Sequence, residues 1–181
     1  MADTGFVVAG TGTDVTLAGT PWTSPGNITA DDATRALSGN AGTQAITNYL
    51  RASNFGFALP AGATIDGIQV RAQRHAATSS MIRDNESSLF NASGIPTGAD
   101  ITGGGGAYWS NIADTVVTFG GASTLFGLTP SESDVEDVDW GWGMSAEDQN
   151  GFVSMYCDLM EMKIYYTAAA PVQGRFRYRR P

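Results

Sequence analysis

The sequence predicts an all-β protein, a two-sheet sandwich of about eight short strands joined by tight turns. Three observations carry that expectation. Apolar residues recur with period two along several runs, the alternation of a sheet with one buried face. Glycine fills 23 of 181 positions and charged residues only 15%, a mix that suits turns and half-buried pleats. The runs also differ widely in length, which favours a sandwich over a closed barrel.

Taken in order, residues 43–50 read as a strand, and Phe55-Gly-Phe-Ala-Leu-Pro60 as a short aromatic strand stopped by proline. Residues 65–74 follow, with Ile68, Val70 and Ala72 on one face and Gln69, Arg71 and Gln73 on the other. Residues 81–90, 115–119 and 140–146 are further strands, and Trp140 and Trp142 share a face. The last run, 152–166, sets Met160, Met162, Ile164 and Tyr166 opposite Leu159, Glu161, Lys163 and Tyr165. Turn signals at Pro60-Ala-Gly62, Gly94-Ile-Pro96 and Asp148-Gln-Asn-Gly151 separate these runs. One helical turn is expected, with Thr129 as cap, Pro130 in the first helical position and Glu132 in the third. Irregular loops fill 91–113 and 120–139. The domain spans 1–167, its first 20 or so residues open to being an arm, and 168–181 form a linker and a basic C-terminal arm.

Charge is segregated. All 18 carboxylates lie before residue 171 with only six Lys or Arg, a formal −12, whereas Arg175, Arg177, Arg179 and Arg180 stand in a tail without an acid. An acidic body argues against general affinity for nucleic acid or anionic membrane. No run reaches the 18 or so apolar residues of a membrane span, and the N-terminus lacks the basic and apolar regions of a signal peptide.

Motifs for chemistry are sparse. A single cysteine, Cys157, excludes an intrachain disulfide, and its apolar setting reads as an inert buried thiol. Gly103-Gly-Gly-Gly106 lacks the Lys-Ser or Lys-Thr of a phosphate loop and reads as a flexible loop. His75, the one histidine, reads as structural, because no nucleophile-elbow motif accompanies it. Glu132, Asp134, Glu136, Asp137, Asp139, Glu147 and Asp148 lack EF-hand spacing and read as a solvated loop, or as the landing place of a neighbour's arginines. Trp109, in a glycine-rich loop, is the tryptophan expected at the surface. No catalytic residue, cofactor or metal is predicted.

The run Phe55-Gly-Phe-Ala-Leu-Pro-Ala-Gly-Ala-Thr-Ile-Asp-Gly-Ile-Gln-Val70 resembles a segment common in virion proteins of tailed bacteriophages. The likeness continues through Phe119-Gly-Gly-Ala-Ser-Thr-Leu-Phe-Gly-Leu-Thr-Pro130, Trp140-Gly-Trp-Gly-Met144 and the closing Met162-Lys-Ile-Tyr-Tyr-Thr167, so it covers residues 20–167. It implies a jelly-roll-like sandwich in a phage particle made in the host cytoplasm, as a capsid decoration or cement protein. A tail, baseplate or head-fibre module binding host-surface carbohydrate is the alternative. The resemblance fixes no catalytic residue and does not reach the arginine tail.

The tail therefore rests on its own residues. If extended, Arg175, Arg177 and Arg179 project to one side and Phe176 and Tyr178 to the other, with Arg180 beyond them. Such a strand suits docking by backbone pairing, aromatic anchoring and charge-assisted hydrogen bonds. Expected partners are the major capsid protein or neighbouring copies in a homo-oligomer, with a trimer favoured. Single-stranded nucleic acid fits Arg and aromatics too, but the body would repel it.

Overall fold

The computed structural model describes residues 1–39, 45–77, 81–103, 108–149, 151 and 153–170. Two antiparallel sheets face each other. The strands, in chain order, are β1 (Ala2–Asp3), β2 (Val7–Val8), β3 (Thr11–Val15), β4 (Trp22–Thr23), β5 (Ala36–Ser38), β6 (Ala45–Ile46) and β7 (Tyr49–Ser53). They continue with β8 (Thr64–Ala76), β9 (Ile82–Phe90), β10 (Pro96–Thr97), β11 (Thr115–Gly121), β12 (Gly141–Asp148) and β13 (Met155–Thr167). A 3₁₀ turn at Pro25–Ile28 and one helix, α1 (Glu132–Val135), complete the elements.

One sheet runs β11-β8-β13-β5-β4 and the other β10-β9-β12-β7-β3. Numbered from β5, skipping only β6, eight strands order first-eighth-third-sixth in one sheet and second-seventh-fourth-fifth in the other. That interleaving of two Greek keys is a jelly roll. β1 and β2 pair with β13, and β3 with β7, so residues 2–15 lie along the sandwich.

The alternations read from the sequence place the core. Ile68, Val70 and Ala72 of β8 and Met160, Met162 and Ile164 of β13 are fully buried, facing Leu50, Ala52, Leu89, Trp142 and Met144 of the other sheet. β8 and β13 pair along their whole lengths, with one extra residue in each, Asp66 and Asp158, bulging the ladder. The glycines of the 140–144 run have a packing reason. A Cβ on Gly143 would come within 2.8 Å of the Phe90 ring, which sits edge-on to Tyr49 with centroids 5.3 Å apart.

Two local readings change. Residues 55–60 are not a strand. Asn54 (φ 57) and Gly56 (φ 65) are left-handed on either side of Phe55, so the chain kinks where a strand would run straight. The alternation is still used, because Phe55 and Phe57 stack 5.6 Å apart in the core. The helix starts two residues later than expected. Ser131 caps it, accepting from the Asp134 N–H at 3.2 Å, and Asp134 returns the bond to the Ser131 N–H at 2.7 Å. A Ser-x-x-Asp box serves here in place of Thr129 and Glu132.

Candidate interaction surface

Arg175, Phe176, Arg177, Tyr178, Arg179 and Arg180 lie outside the described residues, as does most of Gly103-Gly-Gly-Gly106. The root of the arm is visible. Residues 168–170 are exposed and leave the end of β13 beside the turn of Pro60 to Ala63. There a side chain on Gly62 (φ 74) would come within 3.3 Å of Ala169 Cβ.

The acidic stretch is spent on fastening the chain. Glu136 Oε1 accepts the Leu59 N–H and Glu132 Oε2 the Gly62 N–H, both at 2.5 Å. Asp134 caps α1, and hydrogen bonds from Ser131 hold its carboxyl below the usual range. Asp137 accepts the Asp139 N–H, and Asp139 lies 3.5 Å from Arg51. Glu147 pairs with Arg83 at 2.8 Å, and Asp148 accepts the N–H groups of Gly151 and Val153. All seven carboxylates thus make contacts within the chain, while Asp134 and Asp139 remain exposed.

The body's cations are equally committed. Arg35 pairs with Asp114, Arg51 with Asp139, Arg71 with Glu161, Arg74 with Asp84 and Arg83 with Glu147. Lys163 sits 4.5 Å from the Phe6 ring, which also covers Arg71 at 4.0 Å. With six cations engaged, the surplus of carboxylate charge on the body has no internal counterpart.

His75 joins an ion pair and a ring stack. Its Nδ1 lies 2.6 Å from Asp114, its ring stacks on Tyr156, and Asp114 is shared with Arg35 at 2.5 Å. Burial alone would push the Asp114 carboxyl up, but the hydrogen bonds from Arg35 and His75 prevail and hold it below the usual range. Cys157 is buried, and burial pushes its thiol up, away from the reactive thiolate. No group of three or more His, Cys, Asp or Glu among the described residues has metal-holding geometry.

Trp109 corrects an expectation: it is buried, at 3% exposure, not at the surface. Its N–H bonds the Ile82 carbonyl, its indole Nε1 donates to Asp84 at 3.2 Å, and the Arg74 guanidinium lies 4.3 Å over its ring. Asp84 and Arg74 are 2.7 Å apart and both nearly inaccessible. Burial pushes Asp84 up and Arg74 down, and their mutual attraction offsets this only in part. Among the described residues, Nε and Nη1 of Arg74 have no hydrogen-bond partner.

Around this pair the structure assembles a surface that sequence reading missed. β11 is the last strand of its sheet and, among the described residues, pairs with β8 alone. Its residues Thr115-Val-Val-Thr-Phe-Gly-Gly121 carry no charge and no proline. Val116 is 54% exposed, and even the inward-facing Val117 and Phe119 are only half-buried. Where β11 begins, a cavity of about 150 Å³ opens, lined by Arg74, Tyr108, Trp109, Ser110, Thr115, Val116 and Val117. Tyr108 and Ile112 stand exposed nearby in sequence. The sequence marks 115–119 as a strand, but neither composition nor period tells an edge from a centre.

No family model matches this chain, and the comparison with curated proteins found no match. Among solved structures, the N-terminal cellulose-binding domain of β-1,4-glucanase C from Cellulomonas fimi is a distant neighbour. It is 11% identical, over 93% of this chain and 91% of that one, with a TM-score of 0.30.

Proposed function

We propose that the protein is a non-enzymatic structural component of a tailed-bacteriophage virion, a jelly roll that decorates and cements the capsid exterior. The virion assignment is supported by the resemblance of residues 55–70 and of the segments from 119 to 167. The mechanism is supported by one observation above all: all six cations of the body have partners within it. The arginines at 175, 177, 179 and 180 are therefore a separate set of positive charges, carried beyond the last strand, while neighbouring bodies carry surplus negative charge. Symmetric copies, a trimer being the expected unit, multiply modest contacts through effective concentration.

The test is binding of the full chain to purified phage heads, with and without residues 173–181. The arm is expected to be required, and electron microscopy of labelled protein should show signal over the whole head. Signal confined to one vertex or the tail would instead support the carbohydrate-binding module. That alternative has lost its expected ring, since Trp109 is buried; Tyr108, 54% exposed, is the aromatic a sugar could meet there.

A further inference from the structure

We infer that the landing place of the arm is the free edge of β11 in a second copy, with an aromatic side chain of the arm seated in the Arg74–Trp109 cavity. The inference rests on the bridging role just proposed and names its socket.

An edge strand presents a row of unpaired N–H and C=O groups, and protein surfaces blunt such edges with lysine, proline, bulges or covering loops. β11 has none of the first three: its register to β8 is unbroken over seven residue pairs, and it is uncharged. Gln173-Gly-Arg-Phe-Arg-Tyr-Arg179 is also seven residues long, alternates, and lacks proline. Added as a strand, it would place Phe176 and Tyr178 on one face and the arginines on the other.

The cavity gives the aromatic face somewhere to go. A cavity of ~150 Å³ accommodates one six-membered aromatic ring. Tyr108, Trp109, Ser110, Val116, Val117 and Arg74 are among the residues that line it. Asp84 already neutralises Arg74, so the site suits an uncharged ring over an anion. Tyr178 is the arm's ring whose hydroxyl suits the polar members of that lining, Ser110 among them. The arginines then face solvent, where the neighbour's surplus of carboxylates attracts them at longer range.

The bridging role selects a second copy over the arm's own body. From the end of β13 to a new strand outside β11 is three strand spacings, about 14 Å. Six Cα steps lead from Thr167 to Gln173 and span about 20 Å at full extension. Linker length alone leaves the arm's own β11 in reach, and ring closure in the experiment below separates the two.

The experiment mixes two full-length variants that each add one cysteine, Val116→Cys and Arg177→Cys, under mild oxidation; the native Cys157 is buried. Disulfide between the two chains is expected at least tenfold above that of Val138→Cys with Arg177→Cys, Val138 being an exposed position in the acidic stretch. Adding Tyr178→Ala to the Arg177→Cys chain should lower the yield severalfold. Equal capture at 116 and 138, no capture at 116, or ring closure within one chain of the Val116→Cys/Arg177→Cys double variant would each overturn the inference. Heads that still need the arm while 116 never captures 177 would leave the cementing role standing; heads indifferent to the arm would remove that role whatever the cross-link shows.

Discussion

The sheet of β11, β8, β13, β5 and β4 ends differently on its two sides. Beyond β13, the chain closes its own edge: β5, a bridge from Thr29 to Leu159, then β2 and β1 take successive stretches of that strand. β4 lies outside β5, and its Trp22 is buried, donating its indole N–H to the Asn48 carbonyl at 2.9 Å and its backbone N–H to Asp14 at 2.8 Å. Beyond β8, β11 stands with nothing outside it among the described residues. On the β4 side the outermost strand is anchored by the buried Trp22 ring and its two acceptors. On the β11 side the inward residues Val117 and Phe119 are only half-buried.

The largest effects should come from the closed side and from the buried pair under the open one. Trp22→Ala is expected to cost about 3–5 kcal/mol in chemical denaturation, the usual loss for a buried aromatic. A loss of under 1 kcal/mol would mean that the closed edge is not integral to the fold. Arg74→Ala should cost about as much, because Asp84 would remain buried without its counter-charge. Replacing both, as Arg74→Met with Asp84→Leu, should recover most of that loss. An unrecovered double variant would show that the pair does more than neutralise itself.

The same contrast explains how far the sequence could be read. Alternation placed β8, β9, β11, β12 and β13 within a few residues, because each turns one face into the core; β12 is covered on its other face as well. It misled at 55–60, where Phe55 and Phe57 alternate inward without a partner strand; alternation reports burial, not pairing. Ser131 and Asp134 were missed because two capping boxes, offset by two residues, compete in the same acidic run. Trp109 looked exposed because its neighbours are glycines, whereas Arg74 and Asp84, distant in sequence, draw it inward. The open edge of β11 was illegible for a similar reason: which strand lies outermost is decided by the order of all the others.

Between the extremes lie two electrostatic tests. Asp114 ties Arg35 on the β5 side to His75 on β8, so it couples the closed side to the strand beneath the open edge. Its carboxyl is held below its ordinary value of about 3.9, so its stabilisation is complete above that pH and is lost as pH falls through the lower folded-state value. Urea midpoints measured downward from about pH 5 should therefore fall less steeply in Asp114→Asn than in the parent. Parallel curves would remove Asp114 as the source. Ser131→Ala should cost about 1 kcal/mol, read as a lowered melting temperature, since the lost hydroxyl frees one N–H of a four-residue helix.

The smallest effect on stability is the most telling for the comparison. Val116→Lys places a charge on an already exposed edge residue, so the folded body should keep its stability within about 0.5 kcal/mol. Lysine is nevertheless a residue that natural edges use to prevent pairing. Sedimentation of the full chain should then show weaker self-association than the parent, with the melting temperature unchanged. A matching lysine at Thr23, on the closed side, should leave association alone. If both lysines or neither weaken association, the two edges are equivalent and the asymmetry of the sheet has no bearing on partners.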